Sequence, residues 1–129
     1  MAITHHDDIR NSVCNLVVDA IDAGAGAGKL VFRTSGNTAV ATLTFSDPAF
    51  DAAGTAGGNS VGVATAEPIT SDTNAAGGTV AKFTVEDSTT KMVFTGAVST
   101  SGSDINLSSL TVGAGDTVTV SALTYTAMP

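Results

Sequence analysis

From Lys29 onward the chain alternates β-branched or aromatic residues with Thr, Ser or Ala in short runs broken by Gly-rich turns; one stretch of helical periodicity precedes them. The alternating runs are KLVFRT, TAVATLTFS, NSVGVATA, TVAKFTVED, KMVFTGAV and DTVTVSALTYT. Each is expected to be a strand, because alternate side chains of an extended backbone point to opposite faces. Their recurrence every roughly 8–12 residues predicts a mainly β fold, a β-sandwich or a partly open barrel. In TAVATLTFS the residues Ala39, Ala41, Leu43 and Phe45 share the expected core face, with Thr38, Val40, Thr42 and Thr44 on the other. Ala81, Phe83 and Val85 likewise oppose Lys82, Thr84 and Glu86, and DSTT then predicts a hairpin into KMVFTGAV that turns Phe94 inward beside Met92 or Gly96. In the last run Val118, Val120 and Ala122 share one phase while Leu123 and Tyr125 take the other, a slip that a β-bulge near Ala122 would accommodate.

The segment THHDDIRNSVCNLVVDAIDAG reads as an amphipathic helix. Thr4 followed by Asp7 has the form of a capping box, and Asp7 and Asp8 put negative charge at the positive end of the helix dipole. Ile9, Val13, Leu16, Val17, Ala20 and Ile21 form the expected buried stripe, opposite Arg10, Asn11, Asn15, Asp19 and Asp22. Gly24 supplies a left-handed residue to end the helix, and the AGAGAG run lets the chain reverse into the first strand. With 129 residues the chain is expected to form one domain, residues 1–23 as arm and helix and 29–129 as the β-sandwich.

Composition narrows the function. Five Lys or Arg against twelve Asp or Glu give a net charge of −7, and no two basic residues are adjacent, which argues against nucleic acid as a partner. No apolar run approaches the ~18 residues of a membrane span, and the start, MAITHHDD, lacks the cationic and apolar pattern of a secretion signal; synthesis in the cytoplasm is expected. Charged residues are only 13% of the chain, about half the usual share, and a surface so thinly charged is often covered by a partner. The stretches DAAGTAGGN (51–59), SDTNAAGG (71–78) and STSGSD (99–104) are expected to be exposed loops.

Candidate chemistry is sparse. GAGAGK at 24–29 lacks the spacing of a phosphate loop, and a helix precedes it where a strand should. His5 and His6 are the two histidines and sit side by side with Asp7 and Asp8, a solvated cap region rather than a metal site or a catalytic base. Cys14 is the single cysteine, so no intrachain disulfide forms, and its neighbours Val13, Val17 and Ile21 favour burial. Asp47 with Asp51, Glu86 with Asp87, and Asp72 near Asn74 read as turn-forming acids, without the ligand spacing of a calcium loop. With one Tyr and no Trp, a sugar-stacking cleft is not expected either. The chain is therefore expected to be no enzyme, with no cofactor and no bound metal.

Several segments, DAIDAG, LTFSDPAF and AKFTVEDS most specifically, together with VVDAIDAGAGAGKLVFRT, GGTVAKFTVEDS and the closing SLTVGAGDTVTVSALTYT, resemble a group of small virion proteins of tailed bacteriophages. The resemblance runs over nearly the whole chain and implies a structural particle component. By analogy with capsid decoration, or cement, proteins, it implies a jelly-roll-like or related sandwich on the capsid surface, with the major capsid protein and further copies of itself, as dimer or trimer, for partners. The alternative is a tail, baseplate or fibre-associated module. The residues expected at such an interface are Ile3, Thr4, His5 and His6 of the arm, Ala53, Gly54, Thr55, Gly57 and Asn59 of the first loop, and Thr73 and Asn74 of the second, where unpaired backbone is free to add hydrogen bonds to a neighbouring strand.

Overall fold

A computed structural model describes residues 5–54, 60–102, 105–107, 109–121 and 123–126. The expected Thr4 cap, the bulge near Ala122, and the interface candidates Ile3, Thr4, Thr55, Gly57 and Asn59 lie outside the described residues. Among the described residues the helix α1 (Asp7–Ala20) is followed by nine strands: β1 (Lys29–Arg33), β2 (Ala39–Thr44), β3 (Val63–Thr65), β4 (Gly78–Thr79), β5 (Lys82–Glu86), β6 (Met92–Ser99), β7 (Ile105–Asn106), β8 (Thr111–Val112) and β9 (Thr124–Thr126). The fold is mainly β. A five-stranded sheet has the order β2-β1-β5-β6-β7, antiparallel except for the short β6–β7 pairing, and β3–β9 and β4–β8 form two antiparallel pairs.

Alternation explains the central strands. Register sets Leu30 between Leu43 and Val85, and Phe32 between Ala41 and Phe83, so these six side chains share one face and all are buried. The DSTT turn forms as expected, with Asp87 N–H donating to the Lys91 carbonyl at 3.0 Å and Thr90 at positive φ. Asp87 lies buried beneath this turn, its Oδ1 accepting from Thr89 N–H (2.8 Å), Thr89 Oγ1 (2.6 Å) and Lys91 N–H (3.1 Å). These bonds hold its carboxyl below the usual Asp value, the Thr89 hydroxyl contributing most.

Several faces differ from the alternation. Val40, expected on the polar face of β2, is fully buried under the 77–78 turn, whose Gly77 N–H donates to its carbonyl, while Ala39 is exposed. Ala81 is exposed as well, and Met92 is 54% exposed, leaving Gly96 opposite Phe83 and Phe94 edge-on to the Phe83 ring. Thr84 and Glu86, expected outside, are buried because Arg33 lies across them: its Nε donates to Thr84 Oγ1 (3.0 Å) and its NH2 to Glu86 Oε2 (2.8 Å). DTVTV forms no regular strand. Only Val118 bridges, to Asp72, although Val118 and Val120 are both buried.

Two corrections concern the helix. Its N-cap is His6, whose Nδ1 accepts from the Asp8 N–H at 3.1 Å, and the helix starts at Asp7 rather than near Thr4. Its buried face is Cys14, Val18 and the C-cap Ile21, whereas Ile9 is 51% and Leu16 72% exposed and Ala20 is exposed. The expected polar residues Asn11 and Asn15 instead face the protein: Asn11 Oδ1 accepts from Gly62 N–H (2.8 Å) and Asn15 Oδ1 from Ala53 N–H (2.7 Å). Two loop amides satisfied by side-chain carbonyls thus fix the rotation of α1 against β3 and β9. Gly24, at φ 91°, follows the helix end, and the chain then passes Gly28, where a Cβ would lie 2.7 Å from the Ile21 carbonyl oxygen and 2.6 Å from that of Glu86.

Candidate interaction surface

The rotation of α1 leaves half of its apolar surface outside. Residues 100° apart per step put Cys14 and Val18 toward the core, while the exposed Ile9, Leu16 and Ala20 run along the opposite, outward side, with Val13 between them and the core. Val13 is half-buried at the margin. On the Val17 side of this stripe a cavity of about 340 Å³ opens between α1 and the β5–β6 hairpin, lined by Leu16, Val17, Ala20 and Ala23 on one wall and Asp87, Lys91, Met92 and Val93 on the other.

The groove is held open by its own frame. Ser88 Oγ donates to the Ala23 carbonyl at 3.0 Å, tying the hairpin turn to the end of the helix, and the three bonds accepted by Asp87 fix the turn from which Lys91 and Met92 project. Leu16, Met92 and Ile9 are the large apolar side chains most exposed among the described residues. Leu16 and Met92 face each other across this one groove, with Ile9 further along the same stripe. Such clustering on a thinly charged chain marks a contact surface.

The sequence-derived candidates are scattered by comparison. His5 and His6 are exposed at the helix start, and Thr73 and Asn74 are exposed in the 71–78 loop, where Asn74 N–H donates to Asp72 Oδ1 at 2.9 Å. Ala53 and Gly54, expected in an exposed loop, are buried under α1 against Asn15 and Asn11, so that part of the loop is already used within the chain. Periodicity places Ile9 and Leu16 in the buried stripe and Met92 inward beside Phe94, not at a contact surface, and Lys91 carries no signal of its own. The signal was present: Cys14, Val18, Ile9 and Leu16 together make the helix apolar over about half its circumference, more than one contact with a sheet buries.

Carboxylates gather on the other side of the helix end. Burial first, then the neighbouring Asp47 and Asp19 charges, pushes the Asp22 carboxyl above its ordinary value, opposed by the bond it accepts from Ala49 N–H (2.9 Å). Glu67 is raised too, chiefly by hydrogen bonding with the Asp51 carboxyl and by its charge. Among the described residues no three His, Cys, Asp or Glu side chains come together as a metal site, and no helix is long and apolar enough to cross a membrane.

These shifts predict a stability maximum in mild acid. Asp22 and Glu67, raised, contribute stability that is present below the ordinary carboxylate range and lost as pH rises through their folded values. Asp87, lowered, contributes stability present above that range and lost as pH falls through its folded value. The melting temperature is therefore expected to climb as pH falls from neutrality toward the ordinary carboxylate range and to drop below it. In Glu67→Gln the climb should be smaller; an unchanged climb would place its origin elsewhere.

Comparison of the chain with family models, with curated proteins and with solved structures finds no match. The functional reading therefore rests on the surface itself and on the sequence resemblance.

Proposed function

We propose that this chain is a non-catalytic structural protein of a tailed-bacteriophage particle, a decoration or cement protein on the outer surface of the head. The observation that carries this reading is the preformed apolar groove flanked by Leu16, 72% exposed, and Met92, 54% exposed, on a chain with few charges. A contact surface of this kind suits a component that is completed by its neighbours. The finer fold belongs to the same proposal: a jelly-roll-like sandwich, supported by the contact of Phe94 in β6 with Tyr125 in β9 at 5.1 Å between ring centres, which packs the large sheet against the β3–β9 pair.

In this reading the mechanism is mechanical. Each copy adds contacts to the major capsid protein, and many weak contacts on one shell together raise the barrier to rupture through avidity. The exposed arm residues His5 and His6 and the loop residues Thr73 and Asn74 are available for those contacts; Ala53 and Gly54 are occupied within the fold.

The test is the number of copies per major capsid subunit in purified particles, measured by quantitative mass spectrometry. A ratio near a simple fraction of one, hence hundreds of copies, is expected. A few to a few dozen would move the protein to the tail or baseplate, and absence from particles would overturn the structural reading.

A further inference from the structure

We propose that the outward stripe of α1 is a self-association site, pairing in parallel with the same stripe of a second copy, with Lys91 of each copy facing Asp19 of the other. The inference rests on the assembly reading for its setting and names the partner of the groove.

Spacing is the first argument. Ile9, Val13, Leu16 and Ala20 follow one another at four, three and four residues, the spacing a two-helix seam requires, on the side of α1 away from the Cys14, Val18 and Ile21 face that packs within the chain. The seam alternates Ile9 and Leu16 at one kind of position with Val13 and Ala20 at the other. The Val13–Leu16 layer, with Leu at the first kind and a β-branched residue at the second, is the combination that favours two parallel strands.

Charge fixes the orientation. The hairpin stands on the Val17 flank of the stripe, where Lys91 lines the groove; the other flank carries Ser12 and Asp19, both exposed. In a parallel pair, unlike flanks meet, so the Lys91 of one copy lies beside the Asp19 of the other, twice by symmetry. An antiparallel pair would bring like flanks together and set Lys91 toward Arg10 of the second copy. Asp7 and Asp8, at the helix start, fall outside the seam in the parallel arrangement. Met92 and Val93 then close over the second helix from the side.

Two heptads of seam make a small interface, so dissociation in the range of tens of micromolar, roughly, is expected for the isolated chain. Sedimentation equilibrium of the full chain, from about 5 to 500 µM, reads it directly. The wild type should pass from monomer to dimer, and Leu16→Glu should remain monomeric with an unchanged melting temperature, since the side chain touches little of its own fold. Lys91→Asp and Asp19→Lys should each weaken the dimer about tenfold, and the two together should restore it to within about threefold. A chain monomeric throughout, a dimer indifferent to Leu16→Glu, or a charge-swapped variant no tighter than its parents would each overturn the pairing. Copy number in particles is read separately: a monomer found at hundreds of copies sinks the pairing and leaves decoration standing, and a dimer absent from particles does the reverse.

Discussion

Replacing Phe32 with Ala is expected to cost about 3–5 kcal/mol, a large part of the ~5–15 kcal/mol that holds a domain of this size together. Phe32 is fully buried in the middle of the sheet, opposed by Ala41 on one neighbouring strand and Phe83 on the other. Phe83 on the one side is held by its own strand and Ala41 on the other is too small to fill the space, so the cavity would persist. Urea unfolding would show a lower midpoint at an unchanged slope. A loss under about 1 kcal/mol would mean that the sheet collapses into the cavity more readily than its strand pairing suggests.

The second large effect lies on the reverse face of the same sheet. Arg33→Met should destabilise by about 2–3 kcal/mol, less than for a wholly buried pair because water reaches part of the guanidinium. The substitution removes the donor at 2.8 Å from Glu86, which is only 8% exposed, and the bonds to Thr84 Oγ1 and the Asn37 carbonyl. Thr84 Oγ1, at 3.2 Å, remains as a side-chain donor to that carboxylate. Adding Glu86→Leu should return most of the loss, since it removes the stranded charge; a double variant as weak as the single would assign the cost to the packing of the Arg33 stem instead.

How far the sequence announced this fold depends on what each signal encodes. β1, β2, β5, β6 and the DSTT hairpin were legible because alternation and turn chemistry are local, and Leu30, Phe32, Leu43, Phe83 and Val85 need only their own strand to declare a face. Thr84 and Glu86 were misread because what covers them, Arg33, arrives from another strand. Val40 was misread because a distant Gly-Gly turn folds over it. β4, β7 and β8 are two-residue pieces that exist through pairing rather than propensity. The helix itself was plain, but its facing was not. An apolar arc wider than the contact area permits several rotations, and what decided among them was two amide side chains meeting loop N–H groups 38 and 51 residues away. The groove inherits that illegibility, since periodicity places Leu16 in the buried stripe and Met92 on the inward face beside Phe94, and both are exposed.

Asn11 and Asn15 also determine how the surface of this protein is able to change. Rolling α1 by roughly 170° would bury Leu16 and Ile9 in place of Cys14 and Val18, by the 100° step of the helix. The stripe is kept outside by the two carbonyl oxygens anchored to the Ala53 and Gly62 N–H groups, together with the burial of Cys14, Val18 and Ile21. A change at Ala53 or Gly62, remote from the groove and invisible in its lining, would therefore act as a turn of a dial. It would alter which side chains the molecule displays without altering any of them.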